Sequence, residues 1–311
     1  MRIALLLESQ EGLTWPQLLD VASRADECGF DGLYVSDHFG SVDIEAAREV
    51  MPAWTAIAVL AARTQRVRIG SLVSPVTWRH PVDLCKQAIA LDLLTSGRID
   101  VGFGAAWHGA EHERFGFAFP EPAKRVARLA EALEVFSRLW VGEEVTISGE
   151  YYSLLRGSVL PRPETPKPPV ILGGEGKAML RLAAKYAKEW NCFYKTPEEF
   201  GQLSRRLDDA CDEAGRDRGS VGRSLMTPLL IGRTDREVDE RILANRAVFA
   251  GLPGSRAEWR SSGFIGGTVE ELREQLGSLS EAGATRVIFE HIAVDDPAIL
   301  ELVSEAGLLS G

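Results

Sequence analysis

The residues best suited to chemistry are Ser36-Asp37-His38-Phe39, the serines Ser71 and Ser74, and Trp107, His108 and Glu111. Each group follows a short apolar run, where a buried strand gives way to a loop. An aspartate beside a histidine at a strand exit can exchange a proton or hydrogen-bond a heterocycle. The plainer alternative is that Asp37 caps a turn and His38 only packs. Gly70-Ser71-Leu72-Val73-Ser74-Pro75 ends a strand in small polar residues, as an ordinary strand exit also would.

Three further motifs have specific spacing. Gly102-x-Gly104 begins like a dinucleotide fingerprint, but Trp107 stands where a later glycine belongs. A backbone that approaches a flat ligand closely, with Trp107 as a stacking wall, fits better. His108-Gly109-Ala110-Glu111-His112 spells the H-x-x-E-H pattern of zinc peptidases. Gly109 lies inside it, and only a short helix fits between Gly104 and Gly116, so no metal is expected. Glu111 then reads as a brace for the glycine turn. Gly173-Gly174-Glu175-Gly176-Lys177 precedes a helix, whose free N–H groups beside a lysine suit an anion. A tight turn is the alternative.

These loops need a scaffold that brings strand ends together. Strand-like runs occur at Ile3–Leu7, Gly32–Val35, Val67–Val73, Ile99–Gly104, Val170–Gly173, Trp190–Phe193, Leu225–Ile231 and Arg286–His291. Most are continuously apolar, as strands covered on both faces are. Helical patterns alternate with them. Leu18, Val21, Ala22 and Ala25 share one face of a helix ending at Gly29; Pro81 opens another; Val126, Leu129, Leu133 and Phe136 stripe a third. Eight βα units predict a (β/α)8 TIM barrel over residues 1–311, with strand C-termini on one working face. Residues 142–169 break the rhythm with a hairpin, turning at Ser148-Gly149 into Tyr151–Leu154, and a proline-rich segment. Residues 244–267 read as a mobile loop.

Composition narrows the partners. The 311 residues include 45 acidic and 35 basic side chains, a net charge of −10, which disfavours nucleic acid and anionic membranes. Four scattered cysteines suggest reduced thiols and a cytoplasmic protein. No window is long and apolar enough to span a membrane, and the start of the chain reads as a first strand, not a leader.

The order and spacing of these motifs resemble the bacterial luciferase-like flavin and deazaflavin oxidoreductases. The likeness is strongest from Val67 to Phe119 and continues through Tyr151-Tyr152, Gly173-Gly174 and Glu189-Trp190-Asn191 to Ala282-Gly283-Ala284-Thr285-Arg286-Val287. Ser36–Phe39 with Trp107 and Glu111 looks most like the branch using coenzyme F420. The resemblance implies an enzyme in which His38, with Asp37, handles the proton. It places Asp37, Ser71, Leu72, Ser74, Ala105, Trp107 and Glu111 around the deazaflavin and Gly173, Gly174, Glu175 and Gly176 at its phosphate. It also implies a non-proline cis peptide between Ser71 and Leu72, and a homodimer to which Ala56, Val59, Leu60 and Arg63 could contribute. Where the family's turn has a third glycine and an asparagine, this chain has Ala106 and His108. The turn also departs from the glucose-6-phosphate dehydrogenase branch, so that sugar phosphate is not implied as the small-molecule substrate. The rival readings are an FMN-dependent monooxygenase and a catalytically idle flavin-binding protein. Substrate identity and the direction of hydride flow stay open.

Overall fold

The computed structural model of the chain describes residues 1–309. Its strands are β1 (Arg2–Leu7), β2 (Gly32–Val35), β3 (Arg68–Pro75), β4 (Ile99–Gly104), β5 (Val145–Ser148), β6 (Ser153–Gly157), β7 (Val170–Gly173), β8 (Glu189–Phe193), β9 (Gly222–Pro228), β10 (Ile231–Gly232), β11 (Gly267–Thr268) and β12 (Arg286–Glu290). Its helices are α1 (Trp15–Cys28), α2 (Ala53–Arg63), α3 (Pro81–Thr95), α4 (Gly109–Phe115), α5 (Pro122–Trp140), α6 (Lys177–Tyr186), α7 (Pro197–Glu213), α8 (Asp235–Val248), α9 (Arg256–Ser261), α10 (Val269–Glu281) and α11 (Ala298–Glu305). A closed barrel runs β1-β12-β9-β8-β7-β4-β3-β2, every pair parallel. This is the (β/α)8 barrel expected from the eight apolar runs.

Local chemistry starts and stops the helices as the sequence suggested. Thr14 caps α1 in a capping box with Gln17, and Gly29 ends it at a left-handed φ of 89°. Pro81 opens α3, and Leu129, Leu133 and Phe136 of α5 are buried. The main core lies between strands and helices. Inside the barrel, Ala4, Leu6, Tyr34, Leu72, Ile171 and Ile288 form a smaller apolar layer. Beneath it, at the strand N-termini, Arg286 is fully buried among Asp31, Asp100 and Glu189.

Several expectations need correction. The run Leu225–Ile231 is two strands: Pro228 ends β9, and β10 pairs outside the barrel with β11. The hairpin's second strand is Ser153–Gly157, not Tyr151–Leu154. Glu131 explains the shift, because its carboxylate accepts the N–H groups of Glu150, Tyr151 and Tyr152 and holds them in the turn. Residues 244–267 are not one loop. They include the end of α8 and all of α9, pinned by buried Trp259, which packs with Leu230, Val238 and Ile242 and donates to the Ile265 carbonyl at 3.0 Å. On α2, Ala56 and Leu60 are buried in this chain's own core, and only Val59 and Arg63 of the suggested contact set reach the surface.

Candidate active site

The strand C-termini converge on a mouth lined by polar side chains, and parallel pairing is what brings them together. Because β2 pairs with β3, Asp37 lies over Ser74, whose hydroxyl donates to Asp37 Oδ2 at 2.7 Å. Arg79 grips the same carboxylate with two bonds, Nε to Oδ2 at 2.9 Å and Nη2 to Oδ1 at 2.7 Å. Ser74 in turn reaches Ser71 Oγ at 3.0 Å and receives Trp54 Nε1 at 3.0 Å. Asp37 is only 2% exposed. Its lone pairs are committed to this network, so it is built to hold the loop.

His38 differs. Its Nδ1 lies 2.9 Å from Glu111 Oε2, and its side chain remains partly exposed. The other oxygen of Glu111 accepts the backbone N–H groups of Phe39 and Gly40 at 2.6 and 3.2 Å. Glu111 therefore braces the Ser36–Gly40 loop, not the glycine turn as expected from the sequence. Burial works to lower the His38 pKa. The hydrogen bond and charge of Glu111, with the charges of Glu8 and Asp37, outweigh burial and raise it. Burial likewise works to raise Glu111, but His38 and the two N–H donors bring it below its ordinary value. Both shifts favour the charge-assisted form of the pair, with the proton on the partly exposed imidazole. Replacing Glu111 by glutamine is thus expected to lower the His38 pKa. In a reaction where His38 donates its proton, the alkaline limb of log kcat against pH should move to lower pH. An unmoved limb would show that another group titrates.

The glycines of this turn admit a neighbouring side chain, where the sequence predicted close approach to a flat ligand. Val73 fills the space left by three glycines: a Cβ on Gly102 would lie 2.9 Å from Val73, on Gly104 2.7 Å, and on Gly173 3.5 Å. Val73 so forms an apolar floor at the barrel mouth. The non-proline cis peptide is Leu72–Val73, one bond beyond the expected Ser71–Leu72. Ala106 holds a left-handed φ of 65°, which accounts for a glycine preference there. Ala105 stands at the rim, its carbonyl held by Arg125 Nε at 3.0 Å. Trp107 is 63% exposed, stacks on His108 at 4.9 Å and meets the edge of His38 at 5.9 Å. The H-x-x-E-H pattern is not assembled as a peptidase site, because His112 turns to Thr77 Oγ1 at 2.8 Å and to the His108 carbonyl at 2.7 Å. A different set, His38, His108 and Glu111, has its donor atoms within 4.8 Å of one another.

On the far side of the mouth, Gly173-Gly174-Glu175-Gly176 leads into α6. Gly176 is the N-cap and supplies no side-chain acceptor, and a Cβ there would meet open space. The first-turn N–H groups of α6 thus lack intrahelical partners and suit an anion. The Gly174 N–H is spent on the Asn191 carbonyl at 3.1 Å, so that residue shapes the turn with its φ of 132° and does not donate to a ligand. Lys195 Nζ stands 3.1 Å from Glu175. The sequence reading missed Lys195, Arg79, Glu8, Tyr194, Glu290 and His291, although the last two are the polar end of the strand run Arg286–His291, the signal used elsewhere.

One mouth of an eight-stranded parallel barrel thus gathers a histidine–carboxylate pair, an apolar floor and a helix N-terminus. The chain belongs to the luciferase-like monooxygenase family, whose sequence model matches residues 2–298. It is 36% identical over 210 residues to the F420-dependent glucose-6-phosphate dehydrogenase of Microbacterium testaceum, covering 66% of this chain and 61% of that one. It thus spans less than two thirds of that relative. The enzyme of the same description from Amycolatopsis mediterranei is 30% identical over 263 residues, covering 83% and 77%. The coenzyme F420-dependent tetrahydromethanopterin reductase of Methanopyrus kandleri shares the fold at a TM-score of 0.80 and 18% identity, with 98% of both chains covered.

Proposed function

We propose that this chain is a coenzyme F420-dependent oxidoreductase acting on a small organic substrate. The observation that carries the reading is the His38–Glu111 pair beside Trp107 at the barrel mouth. The names of the relatives support the choice of F420. The residues suit that group: a flat ring can lie on the apolar floor that Val73 makes over Gly102, Gly104 and Gly173, and a phosphate needs an uncapped helix N-terminus. When bound, the deazaflavin supplies hydride transfer at its C5.

In this reading Val73 and the Ser71–Leu72 backbone support one ring face and leave the other for substrate. Ser74 and Asp37, tied to Arg79, hold the β2 and β3 exits in register, so Asp37 positions and does not transfer a proton. The α6 N-terminus, shaped by Gly173, Gly174 and Gly176, with Glu175 and Lys195 beside it, takes the phosphate. His38 gives or takes the proton at the substrate heteroatom, and Glu111 holds its ring in place. The free cysteines suit a reducing cytoplasm, and the family resemblance suggests a homodimer. The test is a direct comparison of F420 and FMN binding by the protein.

A further inference from the structure

A second polar cluster occupies the side of the mouth formed by β1 and β12. Glu290 is the last residue of β12 and lies on the same face as Arg286 and Ile288, so it points into the barrel. Its carboxylate has one partner, the Tyr194 hydroxyl, which donates at 2.8 Å. Glu8 directly follows β1, whose Leu6 pairs with Glu290, and it takes its hydrogen bond from Gln10. Among the described residues, neither Glu8 nor Glu290 has an ion-pair partner. Burial, then the charge of Glu8, pushes Glu290 up to about 8, and Glu8 is raised by burial as well.

Beside Glu8 opens a cavity of about 160 Å³, between the ends of β1 and β12 and the end of α8. Glu8, Glu11 and Asp295 line it, Val248 and Phe249 give it an apolar wall, and among the described residues no lysine or arginine lines it. Arg48 is consumed nearby, bridging Glu11 and the Val248 carbonyl. Asp295 accepts from Gln17 Nε2 at 2.7 Å. His291 also lines this cavity. It is 1% exposed, and both of its ring nitrogens lack a hydrogen-bond partner. Burial pushes its pKa down to about 4, so it stays neutral and offers one acceptor and one donor. Buried polar groups without partners are uncommon and cost stability unless a ligand answers them.

We infer that this pocket takes a small organic cation, and that the substrate class of the enzyme is the primary amine or its iminium. This rests on the oxidoreductase reading above. An ammonium group carries three donors and one positive charge, which the Glu8 carboxylate and the His291 ring acceptor can meet together. A phosphate ester would face three carboxylates with no free cation. Oxidation of such an amine passes a hydride from the nitrogen-bearing carbon to the cofactor. One proton leaves nitrogen for His38 in its neutral form, and the nitrogen lone pair closes the C=N bond. The product is the iminium, two electrons poorer, and reduction runs the same steps backwards.

The experiment is calorimetric titration of the F420-saturated full chain with isobutylamine, isobutanol and isobutyl phosphate at pH 7. The three share a skeleton and differ in charge. The amine is expected to bind at least about tenfold tighter than the alcohol, with the phosphate weakest. Glu8→Gln should bring amine and alcohol to similar affinity. A phosphate ester that binds as well as the amine, no amine preference in the native protein, or a preference that survives Glu8→Gln would each overturn the inference. If the variant does not fold, the ranking by the native protein decides alone. An F420 absorbance titration of the same samples separates the two readings: amine preference without F420 binding sinks the cofactor and keeps the pocket, and F420 binding without amine preference does the reverse.

Discussion

Replacing His38 by alanine is expected to lower kcat by about 10²-fold or more, the scale of general acid–base catalysis. The F420 dissociation constant should change far less. The reason is geometric. The His38 side chain is held from behind by Glu111 and reaches the mouth, whereas its neighbour Asp37 is bound to Arg79 and Ser74. Removing the imidazole takes away the one group there with a raised pKa and an accessible ring, but leaves the Val73 floor and the α6 N-terminus intact. The measurement is kcat with any accepted substrate, set beside an F420 titration of the same variant. Turnover near the native level would remove His38 from the chemistry. A parallel collapse of F420 affinity would instead make it a binding residue.

Asp100→Ala should produce the largest loss of stability. Asp100 sits at the closed end of the barrel, 1% exposed. It receives Arg68 through Nε at 2.7 Å and Nη2 at 2.6 Å, Lys188 Nζ at 2.9 Å and the Tyr34 hydroxyl at 2.9 Å. Arg286, with no exposed surface, lies 4.0 Å away and also donates to the Tyr34 hydroxyl. Removing the carboxylate takes away the bidentate partner of Arg68 and leaves Arg286 with Asp31 and Glu189 alone, and deleting one member of a buried ionic group costs about 3–5 kcal/mol. Burial alone would raise the Asp100 pKa, but the charge and hydrogen bonds of Arg68, then Lys188 and Arg286, hold it far below the usual carboxylate range. A depressed carboxylate stabilises above its unfolded pKa, about 3.9, and that contribution is lost as pH falls. The urea midpoint of the variant should therefore drop sharply at pH 7, and its gap to the native protein should narrow in acid. An unchanged midpoint at pH 7 would contradict this account of the barrel floor.

The barrel was legible because its strands are buried on both faces and so appear as uninterrupted apolar runs. The β2 exit was legible for the same reason, since Ser36-Asp37-His38 interrupts such a run abruptly. Pairings across the barrel were not. Nothing local to Arg79 indicates that it holds Asp37, forty-two positions away. Glu111 looked like a brace for its own turn because proximity in sequence is the only proximity a sequence displays. Its actual partners, His38, Phe39 and Gly40, are brought to it by the order of β2, β3 and β4. Gly173 and Gly174 looked equivalent, yet Gly174 spends its N–H on Asn191, a bond created by the pairing of β7 with β8. Glu290 and His291 carried the same signal as Asp37 and His38, polar residues at the end of an apolar strand, but without a neighbouring motif to single them out.

The central claim is the identity of the cofactor, and an absorbance titration of the purified full chain with F420, beside one with FMN, tests it most directly. Saturable one-to-one binding of F420, weakened when the phosphate tail is absent, and markedly weaker binding of FMN are expected. Tight FMN binding with no F420 saturation would contradict that claim and make the chain a flavin monooxygenase or an idle flavin binder.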